Sequence, residues 1–221
     1  MPGCSLLKEC CKLIGIVDYG RGNLRSVEKA LAKVGHEARI LESPTELSSV
    51  QGVILPGVGA FADAMKGLRQ GKWIAPLLDF ANSGQPFFGI CLGMQVLFEG
   101  GEEHGEHAGL GLFPGRVVKF PAGRKIPHMG WNNVKWEQEN VLHQGIPDNS
   151  FFYFVHSYYA LPSDPNVLIG SSDYGVSFPA LVGKGNIWGA QFHPEKSSPW
   201  GLTMLENFGK RVKDSADLSG R

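Results

Sequence analysis

Pro86-Phe-Phe-Gly-Ile-Cys-Leu-Gly-Met-Gln-Val-Leu-Phe-Glu-Gly100 decides how the chain folds. Residues 87–90 are an apolar run with no polar face, as in a strand buried on both sides of a parallel sheet. The period then changes: Leu92, Met94, Val96, Leu97 and Glu99 space as one short helix, stopped by Gly100. Cys91 stands at the switch, between Gly89 and Gly93. Gly-x-Cys-x-Gly at a strand-to-helix turn is the thiol form of a nucleophile elbow. Glycines fit where the turn crowds its neighbours, and the central side chain is lifted clear of the sheet. A thiol at a helix N-terminus also meets the positive end of the dipole, which favours the thiolate. The competing reading is a buried, inert cysteine after a core strand. The paired glycines and the period change favour the nucleophile.

Outward from this stretch the chain alternates strand and helix. Residues 13–17 predict a first strand, followed by the glycine-rich loop Asp18-Tyr-Gly-Arg-Gly-Asn23. Leu24, Val27, Leu31 and Val34 predict a helix with Asn23 as N-cap and Gly35 as its stop. Residues 36–41 read as a second strand, Ser43-Pro-Thr-Glu46 as a capping box opening a short helix, and 51–55 as a third strand leading into Pro56-Gly57-Val58-Gly59. Helices are expected over 60–68 and 73–80. Such alternation argues for an α/β fold: an open mixed, mostly parallel sheet with helices on both faces. After residue 100 antiparallel pieces are expected: strands at 116–120, 133–136, 150–156, 167–171, 178–182 and 187–192, the last two joined by a turn at 183–186. A helix over 201–212 closes one domain, 13–212, flanked by an extension at 1–12 and a frayed tail at 213–221.

At 221 residues and 43% hydrophobic, the chain can bury a full core. Lys plus Arg and Asp plus Glu both number 21. The chain as a whole therefore offers nothing to nucleic acid or to an anionic membrane. No stretch approaches the ~20 apolar residues of a membrane span, and residues 1–12 lack the apolar core of a secretory signal. Of the cysteines, Cys4, Cys10 and Cys11 crowd the start and Cys91 stands alone. That is no disulfide framework; a reducing compartment, the cytoplasm, is expected. Gly101-Glu-Glu-His-Gly-Glu-His107 reads as a solvated acidic loop rather than a metal site, and no cofactor is expected.

A cysteine nucleophile needs a base, and the base an orienter. Among seven histidines His193 stands out, because it closes an apolar strand and precedes Pro194-Glu195. Proline keeps the residue before it extended, so His193 and Glu195 can project together and the carboxylate can hold the imidazole. Cys91, His193 and Glu195 form a candidate triad; read alone, His-Pro-Glu is an ordinary turn leaving a strand. Acyl chemistry also needs donors for an oxyanion, and residues 56–59 together with the Leu92 amide can supply them.

Three motifs in this order, Pro-Gly-Val-Gly, Gly-Ile-Cys-Leu-Gly-Met-Gln and Phe-His-Pro-Glu-Lys-Ser, resemble the class I (triad) glutamine amidotransferases. Four more, Val17-Asp-Tyr-Gly-Arg-Gly-Asn-Leu-Arg-Ser-Val27, Leu55-Pro-Gly-Val-Gly-Ala-Phe61, Ile126-Pro-His-Met-Gly-Trp-Asn132 and Tyr153-Phe-Val-His-Ser-Tyr158, resemble the glutaminase subunits of imidazole glycerol phosphate synthase. The resemblance spans about 13–212. It implies a flavodoxin-like amidotransferase fold and hydrolysis of L-glutamine to L-glutamate and ammonia through a cysteinyl thioester. It also implies roles: Cys91 as nucleophile, His193 as base and acid, Glu195 as its orienter, Gly57, Val58 and Gly59 as the oxyanion strand. Gln95, Ser157 and Tyr158 would hold the α-amino-acid end of glutamine. Asn23, Trp131, Tyr153 and Lys196 would face the partner, a (β/α)8 barrel cyclase that takes the ammonia and makes imidazole glycerol phosphate and AICAR in histidine biosynthesis. Two alternatives stand beside this: a glutaminase for pyridoxal phosphate, anthranilate or guanylate synthesis, or a non-catalytic flavodoxin-like thiol protein.

Overall fold

The computed structural model describes residues 12–197 and 199–219. The expectation for 1–12 therefore lies, Lys12 apart, outside the described residues, as do Cys4, Cys10 and Cys11. In chain order the elements are β1 (Ile14–Val17), α1 (Leu24–Lys33), β2 (Ala38–Leu41), β3 (Gly52–Gly57), α2 (Phe61–Gln70), α3 (Ile74–Asn82), β4 (Phe87–Cys91), α4 (Leu92–Gln95), β5 (Phe98–Gly101), β6 (His107–Ala108), β7 (Phe113–Lys119), β8 (His128–Trp136), β9 (Ser150–His156), β10 (Tyr158–Pro162), β11 (Leu168–Asp173), β12 (Ser177–Lys184), β13 (Ile187–Ala190) and α5 (Trp200–Ser219).

The main sheet runs β2-β1-β3-β4-β13-β12-β11-β8-β9. The five strands from β2 to β13 are parallel neighbours, and the pairs from β13 outward to β9 are antiparallel. The sheet is thus mixed, and its antiparallel half is as large as the parallel one. A second sheet, β10-β7-β5-β6, stands apart from it. Parallel strands covered on both faces must alternate their side chains between two cores. In β3, Ile54 belongs to one core while Val53 and Leu55 belong to the other. The first core takes α1 and α5 through Val27, Leu31, Met204, Leu205 and Phe208; the second takes α2 and α3 through Phe61, Leu68 and Leu77, along with Phe98 and Phe113 of the second sheet. Each such fully buried side chain contributes about 1.5–3 kcal/mol.

Four details differ from the sequence reading. The helix after Cys91 is a single turn, α4, and the residues expected to continue it form β5. All of 96–98 are buried, so apolar spacing there carries no face, and the carbonyls of Val96, Leu97 and Phe98 accept from Leu110, Leu112 and Gly111 instead of from a next helical turn. Asn23 precedes α1 but does not cap it with its side chain; its Oδ1 accepts from the Ser26 hydroxyl at 2.7 Å. Strands β6 and β10 were not anticipated. Helix α5 runs to Ser219, beyond the expected end at residue 212.

Candidate active site

β4 and α4 meet at Cys91, which adopts φ 55° and ψ −111°. A non-glycine residue seldom holds such a backbone. Here the packing imposes it: a Cβ on Gly93 would overlap the Leu55 carbonyl oxygen, and one on Gly89 would come within 2.6 Å of the Gly93 carbonyl oxygen. α4 can therefore fold back over β4 and pack against β3 only with glycine at both places; β3 and β4 pair with Gly57 opposite Cys91. The turn leaves Cys91 6% exposed at the floor of a cavity of about 350 Å³.

His193 follows the end of β13, the strand adjoining β4, and so arrives at the same end of the sheet as Cys91. Both line the cavity. Its Nδ1 lies 2.9 Å from Glu195 Oε1, and the two side chains are almost fully buried. Nε2 is buried and has no hydrogen-bond partner among the described residues. Burial opposes a charge on His193, yet the Cys91 sulphur and the Glu195 carboxylate outweigh it and push the imidazole up to about 10. The ring is then an imidazolium at neutral pH. His193 is also fixed by its backbone: its N–H donates to the Tyr153 carbonyl at 2.9 Å, while Ser197 Oγ accepts from Tyr153 N and donates to His193 O. The antiparallel half of the sheet thus curls until its last strand, β9, meets the segment that follows β13.

The remaining expected residues fall in two places. Val58, Gly59, Leu92, Gln95, Ser157 and Tyr158 line the cavity with Cys91, and Gly57 ends β3 beside it. The Leu92 amide, first in its helix, has no acceptor one turn back. Trp131 and Tyr153 face each other across β8 and β9 with ring centroids 6.1 Å apart, and Lys196 Nζ lies 5.9 Å from the Tyr153 centroid. Trp131 is 54% exposed, and Met129 and Phe151 are exposed beside it. Asn23 lies apart from this cluster, at the start of α1.

A family model described as glutamine amidotransferase class-I matches residues 15–212. The chain belongs to the class-I glutamine amidotransferases. It is 69% identical over 207 residues to the imidazole glycerol phosphate synthase subunit HisH of Desulfitobacterium hafniense (strain DSM 10664 / DCB-2), covering 94% of this chain and 98% of that protein. To the HisH subunit of Moorella thermoacetica (strain ATCC 39073 / JCM 9320) it is 50% identical over 204 residues, covering 92% and 97%. This amidotransferase is therefore a member of the HisH subunit family. Among solved structures, a chain of PurLQS from Thermotoga maritima superposes with a TM-score of 0.69 at 20% identity, covering 95% of this chain and 99% of that one. That likeness speaks to the fold alone.

Two residues at the candidate site escaped the sequence reading. Glu103, in the loop read as a solvated acidic turn, lines the cavity while accepting from the Phe61 amide at 2.7 Å. Its neighbours Glu102 and Glu106 are engaged with the Lys119 amide and Arg116. Gln191 is fully buried with its Nε2 3.8 Å from Cys91 Sγ. A polar residue inside the apolar run 187–192 was the signal available for it.

Proposed function

We propose that this chain is the glutaminase subunit of imidazole glycerol phosphate synthase, hydrolysing L-glutamine and passing the ammonia to a (β/α)8 barrel cyclase. One observation carries the reading: Cys91, raised on the elbow, and His193, locked to Glu195, open onto one cavity sized for an amino acid.

Glutamine enters with its γ-carboxamide over Cys91. The thiolate attacks the amide carbon, and the oxygen gains negative charge against the amides of Leu92 and the Gly57–Gly59 strand. The His193 imidazolium gives its Nε2 proton to the nitrogen, the C–N bond breaks, and ammonia leaves a thioester. Water then attacks the thioester with His193 as base, releasing glutamate and restoring the thiolate. Glu195 keeps the imidazole in place throughout.

The other end of glutamine is read by charge. Both N–H groups of Gln95 are taken, by Tyr158 O at 2.9 Å and Gln191 Oε1 at 3.0 Å. Only its oxygen is free, and an oxygen suits the α-ammonium, as does the Glu103 carboxylate. Backbone groups at Ser157 and Tyr158 are left for the α-carboxylate.

The apolar face of exposed Met129, Trp131 and Phe151 and half-buried Tyr153, with Lys196 beside it, is the surface we assign to the cyclase; Asn23, apart from this cluster at the start of α1, we assign to the same partner. We place the protein in the cytoplasm. No helix among the described residues is long and apolar enough to cross a membrane.

The test is glutamate release from glutamine, by the chain alone and with a cyclase partner carrying its substrate. Low activity alone and strong activity in the complex is expected. Equal activity in both would overturn the assignment to this synthase, and an unreactive Cys91 would overturn the nucleophile.

A further inference from the structure

We infer that Gln191 is a further catalytic residue, whose side-chain N–H holds the Cys91 sulphur as thiolate, and that a polar chain behind it fixes which end of its amide faces the sulphur. The inference rests on Cys91 being the nucleophile of the proposed reaction.

An amide side chain can present either its oxygen or its nitrogen, and only the nitrogen suits a thiolate. The choice is settled two residues away. Tyr158 O is a backbone carbonyl and can only accept, so the Gln95 atom 2.9 Å from it is the nitrogen. The second N–H of that nitrogen meets Gln191 at 3.0 Å, so the Gln191 atom there is the oxygen. What remains is Gln191 Nε2, 3.8 Å from Cys91 Sγ. Gln191 is fully buried and Gln95 nearly so, where a hydrogen bond left unmade is costly.

The Tyr158 carbonyl is itself pinned from the rear. His156 Nδ1 lies 2.8 Å from it and must donate, which makes His156 Nε2 an acceptor. His128 Nδ1, 3.0 Å away, must then donate to it, leaving His128 Nε2 to accept from Asn132 Nδ2 at 3.3 Å. Asn132 cannot turn over, because the same nitrogen donates to Asp173 O at 2.8 Å and its oxygen accepts from Asn133 N at 2.9 Å. Both ends of the chain are thus set by backbone groups, and one set of proton positions satisfies every link. Both imidazoles are neutral in it, in keeping with burial, which lowers His128 and pushes His156 down to about 3.

Other titratable groups also face the sulphur. His193 and, behind it, Glu195 come from the end of β13, and the Tyr19 hydroxyl comes from the loop after β1; burial, then the sulphur, raises Tyr19. Gln191 differs from all of these in carrying no charge of its own, so its contribution is separable by substitution.

The experiment is the rate of Cys91 alkylation by iodoacetamide in the whole chain without glutamine, from neutral pH to about pH 10.5, for wild type, Gln191→Met and Gln191→Glu. Gln191→Met keeps volume and removes the donor; Gln191→Glu puts an acceptor in its place. At neutral pH we expect Gln191→Met to react about tenfold more slowly, the factor for one hydrogen bond to a charged group, and Gln191→Glu more slowly still. At the highest pH, where thiols ionise unaided, the three rates should converge. In glutamine turnover kcat should fall with KM within about twofold. Equal neutral-pH rates in wild type and in whichever variant folds would overturn the inference while leaving Cys91 the nucleophile. A slow rate that persists at high pH would also overturn it, since that marks altered access. A wild-type Cys91 inert at every pH would instead overturn the proposed function.

Discussion

Gly93 lies against the carbonyl oxygen of Leu55 with no room for a Cβ between them. The contact is backbone on backbone, so no rotamer change can relieve it. Gly93→Ala must push α4 off β3, and overpacking of this kind costs about 2 kcal/mol or more. Thermal unfolding should show a Tm lower by roughly 4–8 °C for a chain of this length. An unchanged Tm would mean that the elbow yields more readily than its packing indicates.

Cys91 itself pays the strain that Gly93 imposes. At φ 55° and ψ −111° a glycine is at ease and an alanine is not. Cys91→Gly should therefore be more stable than Cys91→Ala by about 1 kcal/mol in urea unfolding, with both devoid of glutaminase activity and both able to bind the partner. Unfolding of both variants under native conditions would identify Cys91 as a packing residue instead.

Glu103→Gln keeps an oxygen for the Phe61 amide and removes the charge proposed to meet the α-ammonium. Loss of one charge-assisted hydrogen bond of about 1.5–3 kcal/mol predicts a KM for glutamine some 10–150-fold higher, with kcat nearly unchanged. Steady-state kinetics of the complex decide this; a fall in kcat at constant KM would place Glu103 outside the substrate site.

Two histidines give the folded state opposite responses to pH. His193 is raised from 6.5 to about 10, so the native state holds a proton that the unfolded chain gives up. Its stabilisation is complete below pH 6.5 and is lost as pH rises toward 10. His156 is lowered to about 3, so the unfolded chain binds a proton that the native state refuses. Its contribution is complete above pH 6.5 and is lost as pH falls toward 3. Urea midpoints should peak near pH 6–7, and His193→Gln should flatten the alkaline limb. An alkaline limb of the same steepness in that variant would remove His193 as its source.

Trp131 is more than half exposed beside Tyr153, a large apolar area left in water. Trp131→Ala should weaken cyclase binding by about 2 kcal/mol, roughly 30-fold in Kd by calorimetry. The Tm of the free chain should hardly move. A large drop in Tm with unchanged Kd would return Trp131 to the core.

The parallel half of the fold was legible because its strands are apolar runs between glycine-rich loops, and the helices between them show one apolar face each. The second sheet was not. Only one residue separates β9 from β10, so no turn signal announces a new strand after the one expected at 150–156, and β6 is only two residues long. The candidate triad was legible in part: the elbow marks Cys91 and Pro194 keeps His193 extended, whereas Pro194–Lys196 form a single 3-10 turn, so Glu195 meets the imidazole from that turn and not from the extended segment expected. Gln191 and Glu103 are held at the site by contacts to Gln95 and Phe61 that lie 96 and 42 residues away in the chain. No local pattern carries such information, although a buried glutamine in an apolar strand was a visible oddity.

The single residue between β9 and β10 has a mechanical consequence. At Ser157 the chain leaves the nine-stranded sheet and enters the four-stranded one without a loop. The cavity opens at this junction, with Cys91 and His193 carried by the large sheet and Tyr158 by the small one. It is therefore a seam, and glutamine seated there as proposed would fasten one sheet to the other. Hydrogen exchange at the β7–β10 pairing should slow when the cavity is filled, because parting the sheets would then require breaking the grip on the ligand.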